Sequence, residues 1–357
     1  MKILYILSSY NVYGGTPKKT LDLMRYFGEN SVLYVYNNVF QEFKESFEST
    51  GAKVFEGFYS SNLIKHLRTL LLIIDEERID IVQTQFSLGE GLGFLVKLFR
   101  PKTKVVVCFV GANKPGFFKS ILARVFYRQM DVYVFISKYI KEEKIKQFPI
   151  LKKYRSEIIY NGAELRVDEG EIKVEFKKYA ILDIAGLIEL KNLEILVKAI
   201  NLIIKKKGRN DIYLYIAGDG PQRTDLEALI KTLGLQEHII LLGYKSNVGF
   251  LLNSCDIFVH PSYAEGFGIV VAEAMLAEKP VIVSDAGALP ELIQHEYSGL
   301  VIDPFDEAKW ADAIIKLLDN PDYSKYLAHN AKLKAETEFS IEQFASQYNE
   351  LYMSLIC

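Results

Sequence analysis

Two glutamates, Glu265 and Glu273, stand eight residues apart around the stretch Gly266-Phe267-Gly268-Ile269-Val270. A strand-like run, Ile257 to His260, precedes them and a helix-length apolar run follows, so a strand, a glycine turn and a helix are predicted. Gly266 and Gly268 allow the backbone to approach a ligand closely. The amides of Phe267, Gly268, Ile269 and Val270 at the helix start can point at an anion such as a diphosphate. A carboxylate beside such an anion is repelled unless it has a task, and accepting hydrogen bonds from sugar hydroxyls is a natural one. If both glutamates belonged to one helix they would lie within about 80 degrees of one face. The plainer alternative is that Glu265 caps the helix and Glu273 is solvated on its surface. The surrounding glycines argue against it.

The elements that must position this segment follow from the apolar pattern. Runs at Ile3–Leu7, Ser31–Tyr36, Ile81–Gln85, Val105–Val110, Val132–Ile136 and Ile158–Tyr160 alternate with helix-length amphipathic segments. Short, nearly continuous apolar runs of this kind are expected of strands buried on both faces of a parallel sheet. After the charged stretch Glu164–Lys178 the pattern restarts at Ala180–Ile184, Tyr213–Ala217, Ile239–Leu242, Ile257–His260 and Val281–Ser284. The fold class expected is α/β, with two doubly wound, Rossmann-like domains facing a central cleft. The domains are placed at 1–165 and 166–340. The segment 341–357 is expected to be a terminal helix packing back on the first domain, with Phe344, Tyr348 and Leu351 at helical spacing. A chain of 357 residues suits two cores.

Bulk properties exclude several classes. The opening apolar run, Ile3–Leu7, is too short for a signal peptide and reads as a first strand, and Leu70–Ile74 falls far short of a membrane span. Cys108, Cys255 and Cys357 are scattered and odd in number, which argues against a disulfide framework and suits a cytoplasmic location. His66, His238, His260, His295 and His329 show no metal spacing; His260 alone falls near the glutamates, where packing behind the loop is expected. Residues 1–165 carry 24 Lys/Arg against 16 Asp/Glu and the remainder 19 against 29, so the halves bear +8 and −10. An anionic surface or acceptor is therefore expected at the N-terminal half. No nucleic-acid partner is expected.

The Glu265 to Glu273 segment resembles the E-x7-E signature of the retaining glycosyltransferases of family 4, which have the GT-B fold. The resemblance spans nearly the whole chain through ordered landmarks. These are Gly14-Gly15, Asn161-Gly162, Lys191-Asn192, Ala217-Gly218-Asp219-Gly220-Pro221, Gly243-Tyr244, the glutamate segment, and Ser284-Asp285-Ala286-Gly287 followed by Pro290-Glu291. It implies transfer of a hexose-type sugar, with retention, from a nucleoside diphosphate sugar of UDP or GDP type to a glycan or lipid-linked acceptor, as in cell-surface polysaccharide synthesis. By position, Glu273 resembles the carboxylate that takes the ribose hydroxyls and Glu265 the one at the transferred hexose. Lys191 resembles the cation that neutralises the diphosphate, although a lysine there by chance is a solvated surface residue. Its neighbour Asn192 can equally cap the following helix. Gly14 and Gly15 resemble the loop over the leaving phosphate, or else form a simple strand-to-helix turn.

The chain departs from the family pattern at three places. Gly186 stands where a second cation is usual, and Arg223, a candidate to compensate, reads as a surface helix residue. On the acceptor side, Val110 before Gly111 replaces a customary histidine, and Gln85 replaces another. No Asp-x-Asp occurs, so the expected cofactor set is empty and the reaction metal-independent. The alternatives are a catalytically silent sugar-nucleotide-binding partner subunit, or a GT-B phosphorylase or epimerase. The segment Phe117–Arg128 has an apolar stripe of Phe117, Phe118, Ile121, Leu122, Val125 and Phe126 flanked by Lys119, Arg124 and Arg128. It is expected either to lie on an anionic membrane, placing the protein at the inner face of the cell membrane, or to pack on the sheet.

Overall fold

The computed structural model describes residues 1–357 except 12–14, 61, 113–122, 124 and 168–174. The chain divides into two compact units, Met1–Gly162 with Ile341–Cys357, and Ala163–Ser340.

In the first unit the described strands are β1 (Ile3–Leu7), β2 (Ser31–Val35), β3 (Lys53–Glu56), β4 (Ile81–Gln85), β5 (Lys104–Phe109), β6 (Val132–Phe135) and β7 (Ser156–Ile158). They form a parallel sheet in the order β3-β2-β1-β4-β5-β6-β7. The helix Ile341–Ile356 belongs to this unit. Phe344, Tyr348, Leu351 and Tyr352 are buried in one cluster with Ile3, Tyr5, Leu7, Val106 and Val134 from the sheet. Gly162, before the chain leaves the unit, has room for no side chain: a Cβ would stand 3.0 Å from Ile341 Cα and Phe344 Cβ.

The second unit holds β8 (Ala180–Ile184), β9 (Tyr213–Ala217), β10 (Ile239–Gly243), β11 (Ile257–His260), β12 (Val281–Ser284) and β13 (Leu300–Ile302). Their order is β10-β9-β8-β11-β12-β13, again parallel. The core is aliphatic, with Leu214, Ile216, Val259 and Ile282 of the strands packed against Leu196, Ile200, Ile203 and Trp310 of the helices Leu193–Lys207 and Glu307–Asp319. In both units the strand order reverses at one place, between β1 and β4 and between β8 and β11. That reversal opens a crevice at the carboxyl ends of the two strands, where ligands of such sheets bind.

Each unit is therefore a doubly wound, Rossmann-like domain. The sequence pattern missed β3 and β13, both edge strands, overran β2, β5 and β6 by one residue at their ends, placed β7 two residues late and stopped β10 one residue short. Most of the Phe117–Arg128 segment lies outside the described residues. Of its described part, Phe126 stacks on Phe94 with ring centroids 4.5 Å apart, Ala123 is buried, and Val125 is half exposed. Among the described residues no helix is long and apolar enough to cross a membrane.

Candidate active site

The loop after β11 carries Pro261 to Gly268, and the helix Ile269–Leu276 follows. Gly268 is its N-cap, in a left-handed conformation with φ 97° that favours glycine, and no side chain caps the helix. The first turn also holds no acidic residue, so no acid of the helix's own first turn offsets the amide dipoles at this end. Because the helix starts only at Ile269, Glu265 belongs to the loop and the single-helix geometry expected for the two glutamates does not apply. Glu273 lies little more than one turn into the helix, and it is 5% exposed rather than solvated. Glu265 does not cap the helix.

Glu265 instead meets Lys191. The lysine ends the 3₁₀ turn Glu189–Lys191 that follows β8, and its Nζ donates to Glu265 Oε2 at 2.5 Å. The turn is tied to the loop by three bonds: Tyr263 N donates to Leu190 O at 2.8 Å, Ser262 Oγ donates to Leu190 O at 3.0 Å, and the Asn192 amide donates to Pro261 O at 3.2 Å. Asn192 also donates to Pro304 O at 2.8 Å and adopts φ 52°. Its side chain therefore links loops and does not cap the helix it precedes, a correction to one of the two roles expected for it.

His260, the last residue of β11, completes the group. Its Nε2 lies 3.3 Å from Glu265 Oε2 and its Nδ1 2.9 Å from Oδ1 of Asp183 on β8. It is buried behind the loop, as expected, but it also grips the glutamate. Burial is the strongest influence on the Glu265 carboxyl and raises its pKa, yet the His260 hydrogen bond and the Lys191 charge outweigh it and draw the value down to about 2. Glu265 is ionised throughout the physiological range.

Close packing holds the loop from behind. Gly287 has φ 60°, and a Cβ there would stand 2.5 Å from both Glu265 N and Glu265 O; the next residue, Ala288, donates its N–H to Glu265 O at 2.9 Å. Gly287→Ala is expected to cost about 1–3 kcal/mol of stability, since backbone must move, and to lower turnover by displacing Glu265. A thermal melt read beside an activity assay checks this; an unchanged melting temperature and rate would show that the loop yields freely. Gly218 and Gly220 serve the same kind of contact on the other side of β8, where Cβ atoms would meet Ala185 O at 1.9 Å and Leu187 O at 2.6 Å. Gly186 has no such constraint, and Arg223 stays on the surface, paired with Glu227 at 2.9 Å and Asp219 at 3.6 Å.

The structure thus brings together Glu265, Lys191 and the Gly266–Val270 segment in the second unit, with Glu273 on the same helix. Gly15, Gln85, Val110 and Gly111 lie in the first unit, beside the carboxyl ends of β1, β4 and β5, and Gly14 lies outside the described residues. Gly15 opens the helix Gly15–Phe27. Gln85 is fully buried and its amide nitrogen donates to Thr20 Oγ1 at 2.8 Å. Asp183 went unnoticed in the sequence; its only signal was one acid in the otherwise apolar run Ala180–Ile184. Among the described residues no group of His, Cys, Asp and Glu could hold a metal ion.

The model of the glycosyl transferases group 1 family matches residues 168–334. The match takes in somewhat less than half of the chain. It includes Lys191, Glu265, Glu273 and their supporting loops. An uncharacterized glycosyltransferase of Methanocaldococcus jannaschii is 31% identical over 61% of this chain and 58% of its own length, so the match spans somewhat more than half of that relative. The N-acetyl-alpha-D-glucosaminyl L-malate synthase of Bacillus anthracis is 26% identical over 80% of this chain and 77% of its own. Among solved structures, Anabaena HepE in complex with UDP superposes with a TM-score of 0.85 at 20% identity, over 99% of this chain and 100% of that one. The likeness shows the GT-B fold.

Proposed function

We propose that this chain is a retaining glycosyltransferase that moves a hexose-type sugar from a nucleoside diphosphate sugar to a glycan or lipid-linked acceptor without a metal ion. The observation that carries the reading is the Lys191–Glu265 pair beside the uncapped start of the helix Ile269–Leu276. A diphosphate seated on that helix end would meet Lys191, and an ionised Glu265 would accept a hydrogen bond from the sugar. Fixed positive potential at the leaving diphosphate lowers the barrier because charge develops there in the transition state. The family resemblance implies a front-face route, in which the leaving phosphate takes the acceptor proton. The family resemblance of the Glu265–Glu273 segment to E-x7-E supports the roles of both glutamates, Glu273 at the ribose.

UDP is the first nucleotide to try, since HepE binds it. UDP, GDP and ADP sugars would be screened by thermal shift and by release of free nucleoside diphosphate, with the anomer of the transferred sugar read by NMR. The expected result is a melting temperature raised by one nucleotude class, slow release, and an anomeric configuration equal to the donor's. An inverted product removes the retaining mechanism, and the absence of any shift or release removes the enzyme. A chelator in the assay is expected to leave the rate unchanged. The proposal extends to work at the inner face of the cell membrane through Phe117–Arg128; co-sedimentation with anionic vesicles at low salt, lost at high salt, tests that part separately.

A further inference from the structure

Both cations that hold Glu265 do so through one oxygen. Lys191 Nζ and His260 Nε2 lie 2.5 Å and 3.3 Å from Oε2, while Oε1 takes no hydrogen bond from any described residue. The His260 ring is 1% exposed and is bounded on its other side by Asp183, which is fully buried. An ionised carboxylate only accepts hydrogen bonds. Two carboxyl groups flanking the ring favour its imidazolium form, which donates from both nitrogens.

Lys191 cannot serve two anions equally. In the site proposed above, on which this inference rests, a bound diphosphate draws the lysine away from Glu265. We infer that Asp183 and His260 are positioning residues: the His260 cation, anchored by Asp183, keeps Glu265 ionised and in place while Lys191 turns to the diphosphate of the donor. The unfilled Oε1 is then left for the sugar.

The charged groups facing the ring are Asp183 from β8, Glu265 from the loop after β11, and Lys191 from the turn after β8. Burial is the largest influence and lowers the ring's pKa, but the two carboxylates together raise it above its ordinary value. A raised folded-state pKa means that the brace is fully present below about pH 6.5, the ordinary histidine value, and is lost as pH rises through the raised one.

The experiment follows the His260 ring by NMR titration, identified with His260→Gln, in wild type and Asp183→Asn, beside kcat and KM over the neutral and alkaline range. Wild type is expected to titrate above the ordinary histidine value. Asp183→Asn should lower the midpoint by about one unit or more, carry the alkaline limb of kcat down with it, and leave the dissociation constant of UDP within about threefold. Asp183→Glu should restore much of the loss. Wild-type titration and pH profile in Asp183→Asn would overturn the inference, as would a wild-type ring that titrates below the ordinary value. Should Asp183→Asn fail to fold, Glu265→Gln replaces it in the titration and is expected to lower the midpoint too. If wild type neither binds nor turns over any nucleotide sugar, the donor-site reading fails, while the ring titration still decides whether the Asp183–His260–Glu265 brace exists.

Discussion

Replacing Glu265 with alanine is expected to lower kcat for sugar transfer by about 10²–10³-fold, the size of effect seen when one preorganised polar group is removed from a transition-state site. UDP should bind as well as before or better. The reason is the charge balance of the site: Lys191 pairs with Glu265 at 2.5 Å, and its release leaves the ammonium free for a diphosphate. Glu265→Gln separates charge from shape. It keeps the volume and one hydrogen-bonding oxygen, but it gives Lys191 and His260 no anion, so it should resemble alanine in kcat. Single-turnover rates with calorimetric binding of UDP are the measurements. A variant that retains most of the wild-type kcat would remove Glu265 from the chemistry, and one that loses UDP binding in step with kcat would recast it as a structural residue of the loop.

Lys191→Met is expected to weaken binding of UDP by about 10–100-fold, because a charge-assisted hydrogen bond contributes about 1.5–3 kcal/mol. Uridine, which lacks the diphosphate, should bind as it does to wild type. Methionine keeps the apolar stem, so the packing of the Glu189–Lys191 turn on the loop, secured by the Tyr263, Ser262 and Asn192 bonds, is not disturbed. Calorimetry with UDP and uridine in parallel decides it. Equal loss for both ligands would place the lysine at the nucleoside, and no loss for either would leave it as a partner of Glu265 alone. The kcat of this variant should fall as well, since the same cation meets the growing charge on the leaving group.

Glu265 was legible in the sequence because glycines and carboxylates at fixed spacing leave a local signature, and Lys191 was named through its position in the family resemblance. The strands were equally legible: β1, β4, β8, β9, β11 and β12 match their expected runs residue for residue, five of them mainly apolar as strands buried on both faces require, while β4 also buries Gln83, Thr84 and Gln85. The edge strand β3, Lys53–Glu56, was hidden by its terminal charges, which solvent tolerates at a sheet edge. Edge strand β13 is only three residues long.

What the sequence determined by itself is the local grammar of this protein: alternating strands and helices in two halves, a glycine turn at the head of one helix, and acids on either side of it. Tertiary structure decided which distant groups share a site. Asp183 and His260 are 77 residues apart in the chain and meet because β8 pairs with β11 where the strand order reverses. Gly287 reaches Glu265 by the return of the chain after β12. Gln85 meets Thr20, 65 residues earlier. Hydrogen bonds and ion pairs act over a few ångströms in space whatever the separation along the chain, so residue spacing could name the charges yet not their partners.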